Sequence, residues 1–364
     1  MLKRLLSKNK YNIAINGFGR IGRSAFKVLI ENSHVNVVAI NDLADTETLA
    51  NLLQYDSVYG KYNKKISYTK DSITIEGSPP SPKGFGRASN KYQVLAVKDP
   101  AELPWKSMNI DVVLECTGLF RTKETAGAHL TAGAKRVIIS APSSVKATAG
   151  KPAKDDTIKT IVKGVNENKL KQNEKIISMA SCTTNGLAAV TDVINKNFGI
   201  KKAVMTTVHA YTSTQNLVDG PSRDPRRSRA AAVNIIPTTT GAAIATTEAI
   251  PELAGKFDGM AMRVPVINGS VIDVVYLLNK KTSEQKVNEV LRKASGQSRY
   301  KGIITVSKEP LVSSDIIGNS ASAIVDMPFT KVVDGDLLKL IIWYDNELGY
   351  STRLAEMAEY FCRI

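Results

Sequence analysis

The residues best suited to covalent chemistry in this chain are one cysteine and one histidine. Cys182 stands in Ser181-Cys182-Thr183-Thr184-Asn185, immediately before the apolar run GLAAVTDVI. That position places its sulfur at a helix N-terminus, where the dipole and unpaired N–H groups favour a thiolate near neutral pH. Cys116, read as part of a strand, and Cys362, read within the last helix, lack such surroundings and are expected to remain buried thiols. The chain has three histidines. His34 falls in the polar connection ENSHVN, and His129 sits among alanines in a helix, where a surface or packing role suffices. His209 ends the strand TTVHAYT, twenty-seven residues after Cys182, and is the best partner by position and elimination. A Cys–His pair joins a nucleophile to a general base. A lone cysteine is more often inert, so the spacing by itself leaves the pairing open.

Two further clusters point to anions. Arg223, Arg226, Arg227 and Arg229 crowd into SRDPRRSR, followed by Pro237-Thr238-Thr239-Thr240-Gly241 and by Arg263 in MAMRVP. Guanidinium groups with threonine hydroxyls and glycine N–H groups suit phosphate, although an arginine cluster equally serves as a solvated face or an oligomer contact. Near the N-terminus, Gly17-Phe18-Gly19-Arg20-Ile21-Gly22 follows a strand and opens a helix, and Asp42 ends the next strand twenty residues later. A G-x-G-x-x-G alone is weak, but with both flanks it is a dinucleotide fingerprint. Gly17 makes the tight turn, Gly19 admits the pyrophosphate, and Gly22 allows close helix–strand packing. Asp42 would accept the ribose hydroxyls and repel a 2′-phosphate, favouring NAD over NADP.

The elements that must position these groups follow from periodicity. YNIAIN, a glycine turn and a helix through Val28 and Leu29, then VNVVAIND, give the strand–helix–strand rhythm of a parallel sheet. Asp45 or Thr46 would cap the next helix, and the rhythm returns at DVVLECTG, ETAGAHLTAG and KRVIISAP. Two stretches, 78–89 and 143–156, read as surface loops. Longer strands, AVMTTVHAY, SVIDVVYLLNKK and DLLKLIIWYD, mark a second domain, and the final helix is expected to pack back on the first.

Composition narrows the class. With 43% hydrophobic and 23% charged residues in 364, the chain is globular and long enough for two domains. No apolar run approaches the roughly 18 residues of a membrane helix. Three cysteines cannot make a disulfide framework, which favours a reducing, cytoplasmic setting. MLKRLLSKNK is too weakly apolar for a signal peptide. A formal net charge of +15 admits nucleic acid as a partner, yet the charge is spread along the chain, without an arginine-rich tail.

Together these motifs resemble the phosphorylating glyceraldehyde-3-phosphate dehydrogenases. INGFGRIGR, ASCTTN, HAYT, IIPTTTGAA, MAMRVP and WYDNELGYS occur in the family's order and spacing from about Tyr11 to the C-terminus. The resemblance implies an α/β fold: a Rossmann-type NAD-binding domain at 11–181, completed by a helix at 347–364. An α+β catalytic and oligomerisation domain with a mixed or antiparallel sheet would occupy 182–346, and residues 1–10 would be an extension. It implies Cys182 as nucleophile and His209 as base. Thr212 and Arg263 would hold the substrate phosphate, and Ser181, Thr183, Arg227, Thr240 and Gly241 the attacking inorganic phosphate. Cofactor contacts would fall on Gly17, Phe18, Gly19, Arg20, Ile21, Gly22, Asn41, Asp42, Lys98, Thr117, Gly118 and Ser140. Asn346 would meet the nicotinamide carboxamide, with Tyr350 beside the ring. Residues 211–233 match a loop that meets cofactor and neighbouring subunit in the family's tetramer.

The implied activity is NAD-dependent oxidative phosphorylation of glyceraldehyde 3-phosphate through a cysteine thioester, without a metal or any requirement for membrane or nucleic acid. Leu348 departs from the family's usual tryptophan, and the N-terminal extension and both long loops are additions. Three rival readings fit less well. An erythrose-4-phosphate dehydrogenase typically departs at the intact PTTTG, and an NADP-preferring form is disfavoured by Asp42-Leu43. A nucleic-acid-binding protein leaves the Cys182–His209 spacing without a reason.

Overall fold

Ile13, Ala14 and Ile15 of the first strand are all fully buried, so this strand is covered on both faces, as in a parallel sheet flanked by helices. The computed structural model describes residues 10–76, 90–143, 157–222 and 224–364. Residues 1–9 of the N-terminal extension, the loop 78–89, all but residue 143 of the loop 143–156, and Arg223 lie outside the described residues. Two compact units emerge. One comprises Met1–Lys159, Leu170–Met179 and Ser351–Ile364, and the other comprises Thr160–Lys169 and Ala180–Tyr350.

The first unit begins β1 (Tyr11–Asn16), α1 (Arg20–Leu29), β2 (Val35–Asn41) and α2 (Thr46–Gln54), with a small hairpin of β3 (Tyr55–Asp56) and β4 (Gly60–Lys61). Then follow β5 (Ile66–Thr69), β6 (Ser72–Ile75), β7 (Asn90–Leu95), β8 (Val112–Glu115), α3 (Lys123–Thr131), β9 (Arg136–Ile139), the short edge strand β10 (Lys159–Thr160), whose Thr160 is counted with the second unit, and β11 (Ile176–Ser178). The sheet runs β10-β11-β9-β8-β1-β2-β7-β6-β5. From β11 to β7 the pairs given by β9, β8, β1 and β2 are parallel, whereas β6 and β5 add an antiparallel hairpin. Strand order therefore reverses between β1 and β8, and a crevice opens at their carboxyl ends.

Close backbone approach shapes that crevice. Gly17 has φ +91°, and a Cβ there would lie 2.7 Å from the amide nitrogen of Thr117. A Cβ on Gly22 would meet the carbonyl oxygen of Gly17 at 2.1 Å. Both positions tolerate only glycine, the first for conformation and the second for space.

Beneath the crevice lies a polar network that the sequence does not announce. Glu115 and His129 are both fully buried, and His129 Nε2 stands 3.1 Å from Glu115 Oε2. Trp105 Nε1 donates to His129 Nδ1 at 3.0 Å, so the proton resides on Nε2 and is given to the carboxylate. Asn16 Nδ2 shares Oε2 at 2.6 Å, while the Thr117 amide and hydroxyl both donate to Oε1. Four donors thus satisfy a carboxylate removed from water, which would otherwise be costly. His129 is therefore neither a surface residue nor a simple packing residue. Cys116 also differs from expectation, since β8 ends at Glu115 and the cysteine begins the turn.

In the second unit α4 (Cys182–Phe198) precedes β12 (Ile200–Ala210), β13 (Ile236–Thr239), α5 (Ala242–Ala249), β14 (Phe257–Val264) and β15 (Ser270–Leu278). After them come α6 (Glu284–Gly296), β16 (Ile304–Ser307), β17 (Ala323–Asp326), β18 (Lys331–Val333) and β19 (Leu337–Tyr344). Their sheet is mixed and mainly antiparallel, in the order β13-β14-β12-β15-β19-β17-β16 with β18 beside β19. Alternation directs Ala203, Met205, Thr207 and His209 of β12 inward. Leu187, Val190 and Ile194 of α4 share one apolar core with the sheet residues Ile272, Val274, Leu340 and Ile342. Ser270 of β15 pairs with Tyr344 of β19, and Val208 with Val271, so His209, Ser270 and Tyr344 fall in neighbouring rows at one end of the sheet. The last helix, α7 (Leu348–Arg363), belongs to the first unit from Ser351 onward, and Phe361 is buried there.

Replacing Gly22 with alanine forces a methyl against a backbone oxygen that cannot swing aside. The expected cost is about 1–3 kcal/mol, as for overpacking elsewhere in a dense core. Thermal unfolding of Gly22→Ala measures it, and an unchanged melting temperature would show that the turn has slack.

Candidate active site

Cys182 is the first residue of α4, and Ser181 is its N-cap. The Ser181 hydroxyl accepts the Thr184 amide at 3.1 Å, tying down one of the amides left unpaired by the first turn. Cys182 Sγ lies 3.4 Å from His209 Nε2. Sequence spacing left this pairing open, and the fold creates it by ending β12 beside the start of α4.

The imidazole has a defined orientation. His209 Nδ1 stands 2.7 Å from the carbonyl oxygen of Ala210, which can only accept; in the tautomer that gives this oxygen the Nδ1 proton, Nε2 faces sulfur bare. Arg263 NH1 donates to the same carbonyl at 2.9 Å and lies directly against Nδ1. The ring of Tyr344 meets the imidazole edge-to-face with centroids 5.9 Å apart. Burial, and then the Arg263 cation, depress His209 to about 3.

Burial pushes the Cys182 thiol up, while Arg263 and hydrogen bonding from Thr183 pull the other way. The sequence suggests ionisation by the helix terminus; the structure adds an opposing desolvation. Both shifts favour a neutral thiol beside a neutral imidazole, with Arg263 drawing the thiol toward ionisation. The other cysteines have no comparable cation–imidazole setting: burial raises Cys116 strongly and raises Cys362 to about 12.

The residues expected at phosphates each have their own partners. Thr183 is buried, its hydroxyl 2.8 Å from Tyr344 OH, which is also 2.8 Å from Thr207 Oγ1. Arg227 Nε donates to Thr238 Oγ1 at 2.9 Å and lies 3.5 Å from Asp224 Oδ2. Thr240 Oγ1 accepts the Ala242 amide at 3.2 Å, and Gly241 is the N-cap of α5. Burial, together with repulsion from Arg227, lowers the pKa of Arg263, so the two guanidiniums feel one another. Thr212 Oγ1 is 2.9 Å from Thr214 Oγ1. Arg229 pairs instead with Asp219, at 2.8 Å. The Arg226 backbone amide donates to Asp224 Oδ1 at 3.0 Å.

Asn346 is buried, its Oδ1 accepting the Ser270 hydroxyl at 2.8 Å, and Tyr350 OH donates to Ala180 O at 3.3 Å. Leu348, the departure noted in the sequence, gives its backbone amide to Asp345 Oδ1 at 2.8 Å.

In the first unit the glycine turn leads into α1. Gly19 is its N-cap and makes no side-chain bond, and the first turn contains no acidic residue, an electrostatic setting that favours an anion. A Cβ on Gly19 or Gly118 would meet no atom within 4 Å, leaving room for a ligand to approach the backbone. Asp42 Oδ2 takes the Phe18 amide at 2.7 Å, and Oδ1 takes the Ala44 amide at 3.0 Å, which fixes the carboxylate beside the turn.

Several expected cofactor residues have other side-chain roles. Phe18 is fully buried against Phe26, Arg20 pairs with Asp56 at 2.8 Å, and the Asn41 amide is spent on Asn16 and Val97. Ile21 is half-buried, and its carbonyl accepts Ser351 Oγ at 3.5 Å. The Ser140 amide donates to Glu115 O at 2.9 Å, and Lys98 is exposed beyond β7. Glu115, Ser270, Tyr344 and Asp345 were not singled out in the sequence. The only signal was an acid ending the apolar run DVVLE and polar residues ending otherwise apolar strands.

Two family models match the chain. The glyceraldehyde 3-phosphate dehydrogenase NAD-binding domain covers residues 11–123, and the C-terminal domain of the same enzyme covers residues 181–346. The chain belongs to the glyceraldehyde-3-phosphate dehydrogenase family. It is 46% identical over 347 residues to glyceraldehyde-3-phosphate dehydrogenase of Streptomyces coelicolor, covering 95% of this chain and 96% of that protein. Glyceraldehyde-3-phosphate dehydrogenase 1 of Bacillus subtilis is 46% identical over 352 residues, covering 96% and 98% of the two chains. Glyceraldehyde-3-phosphate dehydrogenase of Geobacillus stearothermophilus is 46% identical over 349 residues, covering 96% and 97%. Family membership accords with the mixed sheets and seven helices seen among the described residues, and with NAD as the dinucleotide.

Arg263 bears on both members of the Cys–His pair with a predictable sign. Its cation favours a thiolate and disfavours an imidazolium. In Arg263→Leu, the pH profile of Cys182 alkylation by iodoacetamide should therefore move to higher pH. Peptide mapping across pH 5 to 9 reads the shift; a profile that stays put or moves down would remove Arg263 from the site's electrostatics.

Proposed function

We propose that the protein is an NAD-dependent phosphorylating dehydrogenase that converts glyceraldehyde 3-phosphate to 1,3-bisphosphoglycerate through a thioester on Cys182. The observation that carries this reading is the 3.4 Å approach of Cys182 Sγ to His209 Nε2 at the start of α4, with Arg263 beside it.

Cys182 loses its proton toward His209 Nε2, and its sulfur bonds to the aldehyde carbon. The oxyanion of the resulting hemithioacetal, held by amides at the start of α4, takes that proton back from Nε2 and becomes a hydroxyl. Thr212 and Arg263 hold the substrate's phosphate. An anion there offsets the Arg263 charge, so His209 regains basicity when the hemithioacetal hydroxyl must give up its proton. NAD, held by the glycine turn and Asp42, supplies the hydride acceptor when bound. With hydride lost from carbon and the proton on Nε2, a thioester remains on Cys182. Inorganic phosphate, held by Ser181, Thr183, Thr240, Gly241 and Arg227, then attacks the acyl carbon, and the thiolate leaves. The backbone of Thr117 and Gly118 lines the crevice for the dinucleotide, while Asn346 meets the carboxamide and Tyr350 stands beside the ring.

The second unit also exposes Val204, Ile244 and Met260, and the segment after residue 211 exposes Leu217, Val218, Val233 and Ile235. Apolar exposure of this extent suits burial against other copies of the chain, and a homotetramer is the reading it supports.

Purified protein should form NADH, followed at 340 nm, from glyceraldehyde 3-phosphate in a phosphate-dependent manner. Arg227→Leu should chiefly raise the requirement for inorganic phosphate, and Arg263→Leu should chiefly impair use of the phosphorylated aldehyde. Loss of a charged hydrogen bond corresponds to roughly 1.5–3 kcal/mol, or about 10- to 150-fold in the affected constant. Turnover that is indifferent to phosphate, or mutants altered only in thermal stability, would refute the assignment.

A further inference from the structure

Ser270 opens β15, is fully buried, and belongs neither to the nucleophile–base pair nor to either phosphate group. Its Oγ accepts the Ala210 amide at 3.1 Å and lies 2.8 Å from Asn346 Oδ1. Chemistry fixes the direction of both bonds. The Ala210 N–H can only donate, so the serine oxygen receives it. The hydroxyl has one proton, and only the oxygen end of the Asn346 amide can take it. With the amide turned over, Nδ2 would donate to Ser270 and the buried hydroxyl proton would lose this acceptor, at a cost. Asn346 Nδ2 is thereby kept from Ser270 and available to another acceptor.

A second rung keeps the backbone from turning instead. Asn268 Nδ2 donates to Asp345 Oδ1 at 2.9 Å, and that carboxylate also takes the amides of Glu347, Leu348 and Gly318. Residues 268 and 270 are thus strapped to 345 and 346. Ser270 holds the N–H of Ala210, whose own carbonyl receives His209 Nδ1–H. One hydroxyl therefore orders both the amide of Asn346 and the residue that sets the tautomer of the base.

We propose that Ser270 is a positioning residue that selects which end of the Asn346 amide meets the cofactor, presenting Nδ2 as donor to the carbonyl oxygen of the nicotinamide carboxamide. This rests on reading Asn346 as the carboxamide contact. Its discriminating consequence is that a dinucleotide without nicotinamide gains nothing from Ser270.

Equilibrium titration of the full-length protein with NAD and with ADP-ribose tests it, using wild type, Ser270→Ala, Asn346→Ala and the double variant. Ser270→Ala should weaken NAD by about five- to tenfold, the scale of one hydrogen bond, and leave ADP-ribose affinity within about twofold. The double variant should bind NAD no more weakly than Asn346→Ala alone, because the two residues act through one contact. Ser270→Cys, of similar size but a weaker donor, should fall between wild type and alanine, which guards against an alanine variant that folds poorly. Equal loss for both ligands, or no loss of NAD affinity in Ser270→Ala, overturns the proposal while leaving Asn346 in place if Asn346→Ala is itself impaired. Should Asn346→Ala bind NAD as wild type does, the carboxamide contact falls and takes the role of Ser270 with it.

Discussion

The carbonyl group of Ala210 is the point on which the chemistry of the second unit depends. Its two lone pairs receive His209 Nδ1–H and Arg263 NH1. The first bond leaves Nε2 bare toward Cys182, and the second places a cation where it favours a thiolate and opposes an imidazolium. Neither side chain could hold that attitude on a loose loop. Ala210 ends β12 paired with Val264 of β14, and its amide donates to the Ser270 hydroxyl of β15, so the residue is held from both sides. The site thus obtains its angular precision from backbone hydrogen bonding and spends side chains on reactivity.

In the first unit a comparable job falls to close packing. The Gly17 and Gly22 backbones approach their neighbours to distances at which a methyl group would collide. Asp42 then clamps the turn through the Phe18 amide, so the same carboxylate that suits ribose hydroxyls also holds the loop beneath them. Under the proposed function one residue serves binding and folding together, while the side chains of Phe18 and Asn41 are committed to the interior.

Features legible in the sequence were those whose physical cause is local. A glycine fingerprint between a strand and a helix, a cysteine at the start of an apolar helix, and Asp45 or Thr46 as the cap of α2, where the structure has Asp45, each need only a few neighbouring residues. The Cys182–His209 pair became legible because histidines are scarce. Long-range bonds were not legible. Ser270 meets Asn346 across seventy-six positions, and Thr183 meets Tyr344 across 161. A serine at the head of a strand or a tyrosine at its tail carries no mark of such a partner until register is known. His129 was misread for the same reason, since its meaning comes from Trp105 and Glu115 arriving from separate elements.

That last network has a consequence for how the sequence can change over time. The Glu115 carboxylate receives Asn16, His129 and two groups of Thr117, and His129 in turn receives Trp105. A change at any one of these positions strands a buried donor or acceptor, and only coordinated replacement restores the balance. The cluster should therefore behave in evolution as a single inherited character, retained or exchanged as a set, while the residues around it drift one at a time.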